Sequence, residues 1–288
     1  MFLWTSPGGP SFWSTPLFPP GAAILLREVT CLNPSLWFEQ TGERLLNGET
    51  LNFWESSAYD FYQSFIEGDR WKLYIQGLGT TLLITVLALI LGIVLGVVVA
   101  VVRSLHDQQR LGHRNPVLGV VNAVCQIYTT VIRGTPMMVQ LLIMGFVIFK
   151  SSRNITMVAA LSFGINSGAY AAEIIRGGLM SVDPGQMEAG RSLGLNYIQT
   201  MRFIIIPQAI KSILPALGNE FITLLKETSI VTVIGGRDIT KVAMLIQGKT
   251  YGGFMSLFGV ALVYLAMVML FSWLLGKLER RMRKSDRR

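Results

Sequence analysis

Five long apolar stretches dominate the chain from residue 73 onward. The clearest, residues 73–102, contains no charged residue and would be about 45 Å long as an α-helix, whereas the hydrocarbon core of a bilayer is about 30 Å thick. The other four are residues 116–149, 154–178, 211–234 and 254–276. This pattern predicts an all-α membrane protein with about five transmembrane helices, spread over residues 71–281.

The second stretch is interrupted. It contains Arg133, and Gly134-Thr135-Pro136 follows at once. A proline inside a helix removes one backbone donor and clashes with the preceding turn, so a bend or a break is expected there. Arg133 is then either an anchor whose charged end extends towards the headgroups or part of a polar path.

The composition agrees with a membrane protein. Of 288 residues, 51% are hydrophobic and 15% are charged, whereas soluble domains average about 25% charged residues. These values argue against a disordered protein and a water-soluble enzyme, and two cysteines, Cys31 and Cys125, are too few for a disulfide scaffold. His106 and His113 form no metal-site pattern, and the sequence has no phosphate-binding loop of the ATPase type. We therefore expect no metal, no bound cofactor and no ATP hydrolysis by this chain alone.

The net charge of +8 is unevenly distributed. Residues 277–288 form a strongly basic tail, and Arg103, Arg110 and Arg114 follow the first stretch. Lysine and arginine collect on the cytoplasmic side of membrane proteins. With five crossings, the N-terminus is expected outside and the basic tail in the cytoplasm, so the positive charge needs no nucleic acid to explain it.

Residues 1–70, which carry more acidic than basic side chains, are expected to form an extracytoplasmic extension. Prolines near the start prevent a continuous helix there, and residues 1–51 are otherwise uninformative. The segment from Phe53 to Lys72 is aromatic and amphipathic, which is typical of a helix in the outer headgroup region. An ordinary packed surface helix would show the same pattern.

A polar loop at residues 181–210 joins the third and fourth stretches and should face the cytoplasm. Asp183 can cap a helix over residues 184–193, and Gly194 suits the left-handed conformation that ends such a helix. A second short helix is expected over residues 197–205, stopping before a proline. Two largely polar helices outside the lipid indicate a surface on which another protein docks.

This loop resembles a known motif. Glu188-Ala189-Gly190, Gly194 and Ile204-x-Ile206-Pro207 follow the spacing of the EAA loop of ABC importer permeases. Two positions depart from that motif, because Gly190 stands in place of the third small residue and Ile206 in place of leucine. Neither change alters the polarity, although Gly190 weakens the helix by up to about 1 kcal/mol.

Three further segments are similar to markers of the polar amino-acid subfamily of these permeases. They are the segment from Gly168 to Gly178, Arg133-Gly134-Thr135-Pro136, and the segment from Leu225 to Ser229. The resemblance covers about residues 71–281, and residues 1–51 lie outside it. It implies the fold of a type I ABC importer permease with a cytoplasmic coupling loop.

The resemblance also implies partners in the plasma membrane of a prokaryote. Two ABC ATPase subunits would bind from the cytoplasm and hold ATP and Mg²⁺, and an extracytoplasmic binding protein would deliver an amino acid. A second permease copy or a paralogue would complete the path through the bilayer. Carried over residue by residue, the candidates for coupling to the ATPase are Glu188, Ala189, Gly190, Gly194 and Pro207, and a solvated helical hairpin without a partner is the alternative.

Charged residues inside the apolar stretches are costly and therefore suggest function. Glu220 would lie near the middle of the fourth helix, and Glu220, Thr223 and Glu227 share one face by spacing. The candidates for a substrate path are Asn219, Glu220, Thr223, Lys226, Glu227 and Arg133. Pairing of Glu220 and Lys226 with polar groups of neighbouring helices is an equal alternative.

Glu173 and Arg176 are three residues apart near the inner end of the third helix, where we expect a structural salt bridge. A secondary transporter or a channel would also need several spans and buried charges, but it would need neither the EAA spacing nor an ATPase. A membrane-anchored enzyme would need catalytic groups in an aqueous domain, and none stand out. The sequence thus predicts the permease subunit of an ATP-driven importer of polar amino acids, and it does not identify the amino acid.

Overall fold

A computed structural model describes residues 34–107, 109, 115–250 and 253–285, and this part of the chain contains helices and no strand. The chain divides between Gln63 and Ser64 into two compact units. Some of the residues discussed above lie outside the described residues: the proline-rich start with Cys31, the loop residues Arg110, His113 and Arg114, and the last three residues of the basic tail.

Within the described residues, the first unit has helix α1 at Pro34–Leu46 and helix α2 at Phe53–Phe61. The rings of Phe38 and Tyr62 stack with their centroids 4.0 Å apart. The prediction of one helix from Phe53 to Lys72 is wrong. A π-turn and a 3₁₀ turn follow α2, and Gly68 in the second of them adopts φ 60°, which a regular helix does not allow.

The second unit contains the long apolar helices. In chain order its helices are α3 (Arg70–Asp107), α4 (Pro116–Gly134), α5 (Met137–Leu142), α6 (Ile155–Met180), α7 (Gly185–Ser192), α8 (Tyr197–Thr200), α9 (Ile206–Glu227), α10 (Ile239–Thr250) and α11 (Gly253–Ser285). Among the described residues, five helical segments are long and apolar enough to cross a membrane: Phe53–Asp107, Pro116–Gly134, Ile155–Met180, Tyr197–Ile234 and Phe254–Met282. The prediction of an all-α protein with about five spans is confirmed.

The second apolar stretch is not one helix. Helix α4 ends at Gly134, and α5 begins at Met137 and passes into a π-helical turn at Ile143–Ile148. The break therefore falls at the Gly-Thr-Pro sequence, where Pro136 has an extended backbone with ψ 134°. A broken helix leaves carbonyl groups without their usual amide partners, which is costly away from water.

Gln140 satisfies the groups that this break exposes. Its amide Nε2 donates to the Ile132 carbonyl at 2.7 Å, to the Thr135 carbonyl at 3.1 Å and to Thr135 Oγ1 at 2.7 Å. Its Oε1 accepts a hydrogen bond from Asn166 Nδ2 at 3.0 Å, which ties the break to α6. One glutamine thus stabilises the interruption and fixes it against the next helix.

We predicted that the second helix of the polar loop stops before Pro207, and this prediction is wrong. Helix α8 continues through a π-turn at Met201–Ile205 into α9, so the chain is helical from Tyr197 to Ile234. Pro207 lies in the first turn of α9, directly after the π-turn.

A helix that was not predicted, α10, lies between the fourth and fifth apolar stretches. Asp238 caps it, since its carboxylate accepts hydrogen bonds from Thr240 N at 3.0 Å and from Lys241 N at 3.1 Å. Burial raises the pKa of the Asp238 carboxyl, and these amide groups act against that rise. Helix α10 packs against α3 at Gly77, where an added Cβ would lie 2.8 Å from Ile239 Cα.

Helices α3 and α6 pack closely through small residues. A Cβ added to Gly92 would lie 2.9 Å from Ser167 Cβ, and one added to Gly96 would lie 2.6 Å from Ala171 Cβ. Small residues allow helix backbones in lipid to approach until dispersion forces hold them. Helix α6 is buried along most of its length, so it forms the centre of the second unit.

We expect Gly96→Ala to destabilise the protein by about 1–3 kcal/mol, because the new methyl group would overlap Ala171 and force α3 away from α6. Gly79→Ala is the matched control in the same helix, because nothing lies within 4 Å of its added Cβ. The apparent melting temperature in detergent should fall for the first variant and stay level or rise for the second. Equal melting temperatures would contradict the close packing.

Candidate functional site

Helix α7 carries the EAA-like sequence and is closed at both ends. Asp183 Oδ1 accepts a hydrogen bond from Gly185 N at 2.8 Å, as a capping residue does. At the other end, Leu195 N donates to the Gly190 carbonyl at 3.1 Å and Gly194 N to the Arg191 carbonyl at 2.9 Å. Gly194 has φ +79°, so its predicted left-handed conformation is confirmed, and this pair of bonds is a Schellman motif.

Gly190 is buried in the packing between α7 and α8. An added Cβ there would lie 2.5 Å from Thr200 Cγ2 and 2.7 Å from Thr200 Oγ1. Thr200 is itself fully buried and donates through Oγ1 to the Asn196 carbonyl at 3.0 Å. The departure of Gly190 from the EAA motif therefore has a structural reason, because a β-branched residue at position 200 occupies the space of an alanine methyl group.

The other motif residues face outwards. Glu188, Ala189 and Pro207 are exposed, and within the described part of the chain the Glu188 carboxylate has no ion pair. The three most exposed large apolar side chains of the same loop were not predicted as site residues: Leu193 at 78%, Ile198 at 73% and Phe203 at 64%. An acidic group beside apolar side chains is typical of a protein docking surface.

A cavity of ≈ 770 Å³ lies between this loop and the ends of α3 and α6. Its walls include Ser104 and Asp107 of α3, Arg176 of α6 and Glu188 and Arg191 of α7. The loop thus faces the ends of two membrane helices across an open space. A displacement of α7 would change the shape of this cavity before it displaced the buried parts of α3 and α6.

Glu173 is the centre of a cluster of arginines. It contacts Arg103 through a hydrogen-bonded ion pair, and its oxygens lie 3.8 Å from both Arg133 Nη1 and Arg176 Nε. Arg176 also lies 3.5 Å from Asp107 Oδ2. The expected pair of Glu173 and Arg176 is thus present as one contact of a larger network that joins α3, α4 and α6.

The candidate path residues of α9 lie on two faces. Asn219, Thr223 and Lys226 form an exposed polar stripe, while Glu220 and Glu227 lie half-buried on the adjoining face. Ser167 Oγ donates to Glu220 Oε1 at 3.0 Å, which joins α9 to α6. Exposed polar groups at membrane depth need water, a ligand or a partner, so the stripe indicates a polar surface.

Three polar residues near this surface were missed from the sequence. Ser167 and Asn166 are buried next to each other in α6, and Asn166 binds Gln140 at the helix break. In the sequence, Asn166 and Ser167 appear as an Asn-Ser pair in the middle of an apolar stretch. Because neither residue is charged, the pair is only a weak indication of a functional site. Arg133 is not part of this group by its contacts, since it faces Glu173 and lies over the ring of Tyr170 at 5.4 Å.

Within the described residues, no group of histidine, cysteine and acidic side chains is arranged to hold a metal ion. The candidate site has two parts, the exposed side of the loop and the polar stripe of α9, and the continuous helical run from Tyr197 to Ile234 joins them.

The Gly190 packing leads to a prediction. We expect Gly190→Ala to lower the free energy of unfolding by about 1–3 kcal/mol, because its methyl group overlaps Thr200 Cγ2. The double variant Gly190→Ala with Thr200→Ser should recover part of this loss, since serine lacks Cγ2 but keeps the hydroxyl oxygen, the second close atom at 2.7 Å. Gly177→Ala is the control, because its added Cβ has no neighbour within 4 Å. Thermal unfolding of the wild type, the single variants Gly190→Ala and Thr200→Ser and the double variant measures the coupling, and a double variant no more stable than Gly190→Ala would contradict it.

Known proteins resemble this chain both in sequence and in fold. The chain is 37% identical over 187 residues to the arginine transport system permease protein ArtQ of Bacillus subtilis, covering 59% of this chain and 84% of that protein. It is 36% identical over 168 residues to the glutamine transport system permease protein GlnP of Escherichia coli, covering 57% of this chain and 77% of that protein.

Among solved structures, the fold is similar to a crystal structure of an amino acid ABC transporter with histidines. The TM-score is 0.67 and the identity 41%, covering 81% of this chain and 99% of that chain. A family model described as the inner membrane component of binding-protein-dependent transport systems matches residues 116–284, more than half of the chain. The chain is therefore a multi-pass membrane protein and belongs to the family of binding-protein-dependent transport system inner membrane components.

Proposed function

We propose that this chain is the permease subunit of an ATP-driven importer of polar amino acids and that α7 couples it to a separate ATPase. The observation that carries the proposal is a capped helix at the EAA spacing, closed by Gly194, whose exposed Glu188 has no ion pair within the described residues. The names of the relatives, which are transport system permeases for arginine and glutamine, support an amino acid as the substrate.

The partners follow from the family and from the loop. A family of binding-protein-dependent transport components requires a binding protein, which we place on the extracytoplasmic side. Two ABC ATPase subunits holding ATP and Mg²⁺ would dock on the cytoplasmic side, and a second permease copy or a paralogue would face this one. In this arrangement the N-terminus lies outside, and residues 181–210 and the basic tail lie in the cytoplasm, as the distribution of lysine and arginine favours.

Coupling depends on the exposed side of the loop. Glu188 would pair with a basic residue of the ATPase, while Leu193 and Ile198 would fill apolar positions of the same groove. Because α8 and α9 form one helical run, a displacement of the loop is transmitted to the membrane part of α9. ATP binding and hydrolysis in the partner would in this way move the polar stripe.

The proposed substrate path follows the polar faces of α9. Glu220, held by Ser167, would meet the α-amino group of a zwitterionic amino acid, and Lys226 would meet its carboxylate. Asn219 and Thr223 are exposed between them and offer neutral hydrogen-bonding groups. Glu227 lies half-buried beyond this pair and adds negative charge to the same end of the path.

We expect Glu188→Lys to lower amino-acid transport and ATP hydrolysis by the complex about tenfold or more, because reversing one member of a buried charge pair costs about 2–5 kcal/mol. Glu279→Lys, a charge reversal in α11, is the matched control and should leave both rates unchanged. The measurement is uptake and phosphate release in proteoliposomes that contain the permease, the ATPase and the binding protein.

Three outcomes would contradict the coupling proposal. One is wild-type transport by Glu188→Lys at normal expression. Another is labelling of Ala189→Cys from the outside of the membrane, which would place the loop on the wrong side. The third is uptake driven by an ion gradient without any ATPase subunit, which is the behaviour of a secondary transporter or a channel.

Two variants separate the effect of the Glu220 charge on transport from the effect of its hydrogen bond. Glu220→Gln keeps an oxygen that accepts from Ser167 Oγ but removes the charge, so we expect the KM for amino-acid uptake to rise about tenfold. Ser167→Ala removes only the hydrogen bond and should change the KM about threefold or less. If Glu220 only holds α9 against α6, Glu220→Gln will transport normally and Ser167→Ala will be the more damaging change.

A further inference from the structure

The helical run from Tyr197 to Ile234 contains an irregular turn between α8 and α9. In the π-turn at Met201–Ile205, the Ile206 amide donates to the Met201 carbonyl, five residues back instead of four. Just before it, Thr200 N donates to the Asn196 carbonyl, four residues back, at 2.9 Å. Single π-turns inside α-helices are rare and occur frequently at functional sites.

Pro207 follows this turn directly and keeps the bonding irregular. A further π bond would need an amide at residue 207 that donates to the Arg202 carbonyl, and an α bond would need one that donates to the Phe203 carbonyl. Proline has no amide, and its ring clashes with the carbonyl four residues back in an α-helix. The proline therefore opposes a regular α-helix across this part of the run.

The helix before the π-turn is fixed against α7. Thr200 is fully buried, and its methyl and hydroxyl groups occupy the space in which Gly190 would carry a side chain. A rotation of α8 about its axis would remove Thr200 from this contact. The positions of α7 and α8 are therefore fixed together.

The helix after the π-turn is fixed against α6 and α7. Ala209 is fully buried in the second turn of α9. Ser212 Oγ lies 3.2 Å from Ser181 Oγ at the end of α6, and Gln208 Nε2 donates to Gln186 Oε1 of α7 at 3.3 Å. These contacts hold α9 in one rotation about its axis.

The π-turn makes the two sets of contacts compatible. It holds one residue more than an α-helical turn would, and one residue corresponds to a rotation of about 100° about the helix axis. In a regular α-helix from Thr200 to Ala209, one set of contacts would therefore be lost. Either Thr200 would leave Gly190, or the side chain at position 208 would move by about 8 Å relative to α7.

We propose that Pro207 is a positioning residue that maintains the π-turn, and that this turn sets the rotation of α7 and α8 relative to the polar stripe of α9. The consequence for transport rests on the proposed function, whereas the geometry does not. With this rotation, a displacement of α7 reaches α9 both along the helical run and through the contact between Gln186 and Gln208. Without it, the ATPase still docks and hydrolyses ATP, but less of its movement reaches the stripe.

Cross-linking of the full-length chain, purified with its accompanying subunits, measures the rotation. The native Cys31 and Cys125 are first replaced by serine. The pair Gln186→Cys and Gln208→Cys, joined by a short bismaleimide, reports the contact of α7 with α9. The pair Ser181→Cys and Ser212→Cys is the matched control, because it reports the contact of α6 with α9 and involves neither α7 nor α8.

We expect Pro207→Ala to lower the cross-linking yield of the first pair several-fold and to leave the yield of the control pair unchanged. The new amide allows an α bond to the Phe203 carbonyl, so α9 keeps its place against α6 while α7 and α8 rotate relative to it. Unchanged cross-linking of both pairs would overturn the inference, because the π-turn would then not depend on the proline.

The effect on coupling is measured in proteoliposomes that contain the ATPase and the binding protein. We expect Pro207→Ala to lower the number of amino acids transported per ATP hydrolysed by about fivefold, with ATP hydrolysis retained. A loss of transport and of hydrolysis in equal proportion would indicate failed docking of the ATPase and would refute the positioning role.

Deletion of the exposed Arg202 is the compensating change. In the Pro207→Ala chain it removes the additional residue, so that a regular α-helix joins Thr200 to Ala209 at their present rotation. We expect this double variant to recover both the cross-linking yield and the ratio of transport to hydrolysis. Deletion of Arg202 with the proline kept should remain uncoupled.

The compensation also distinguishes a changed rotation from misfolding. Shortening the chain would not repair a protein that Pro207→Ala had only destabilised, so a double variant no better coupled than Pro207→Ala would overturn the inference. If no ATPase accompanies the purified chain, the proposed function fails. The cross-linking of Gln186→Cys with Gln208→Cys still decides in that case whether Pro207 sets the rotation.

Discussion

The close approach of α3 to α6 is the contact on which the rest of the second unit depends. Lipid offers no hydrophobic force between helices, so their association relies on dispersion at short range and on a few polar bonds. Gly92 and Gly96 allow that range, because Ser167 and Ala171 lie where their side chains would be. With α6 held in this way, its polar residues are brought to fixed partners: Asn166 to Gln140, Ser167 to Glu220 and Glu173 to Arg103. The packing of small residues thus positions both the polar surface and the ion cluster.

The same polar bonds allow irregular backbone at membrane depth. The break after Gly134 would leave carbonyl groups without donors, and Gln140 supplies the donors from within the protein. Ser167 likewise gives Glu220 a partner in a place where water is scarce. Several polar groups of the apolar helices are thus bonded to another helix, whereas exposed polar groups lie on α9 and around Arg133. Because the bonded groups have a structural role, the exposed polar groups are the candidates for functional contacts.

Most of the architecture could be predicted from the sequence, because long apolar stretches, a Gly-Thr-Pro break and a helix-closing glycine act locally. The course of the chain through Pro207 could not, since a π-turn at Met201–Ile205 depends on how α8 and α9 meet. Helix α10 was missed because its apolar run is short and its start depends on Asp238, which is buried only in the folded protein. At the candidate site the motif spacing predicted Glu188 and Gly194, whereas Ser167, Asn166 and Gln140 require knowledge of which helices touch. Uncharged polar residues carry too weak a local signal for that purpose.

The helical run from Tyr197 to Ile234 links the binding free energies at its two ends as well as their movements. One end bears the surface proposed for the ATPase, and the other bears Lys226 and Glu227 at the polar stripe. Thermodynamic linkage requires that two ligands acting on one shared element influence each other equally. Under the proposed function, an amino acid that favours one position of this helix changes the affinity for the ATPase by the same factor by which the ATPase changes the affinity for the amino acid. The coupling between the two ends of this helix is therefore equal in both directions. In the proposed importer, only the chemical potential of ATP makes transport one-way.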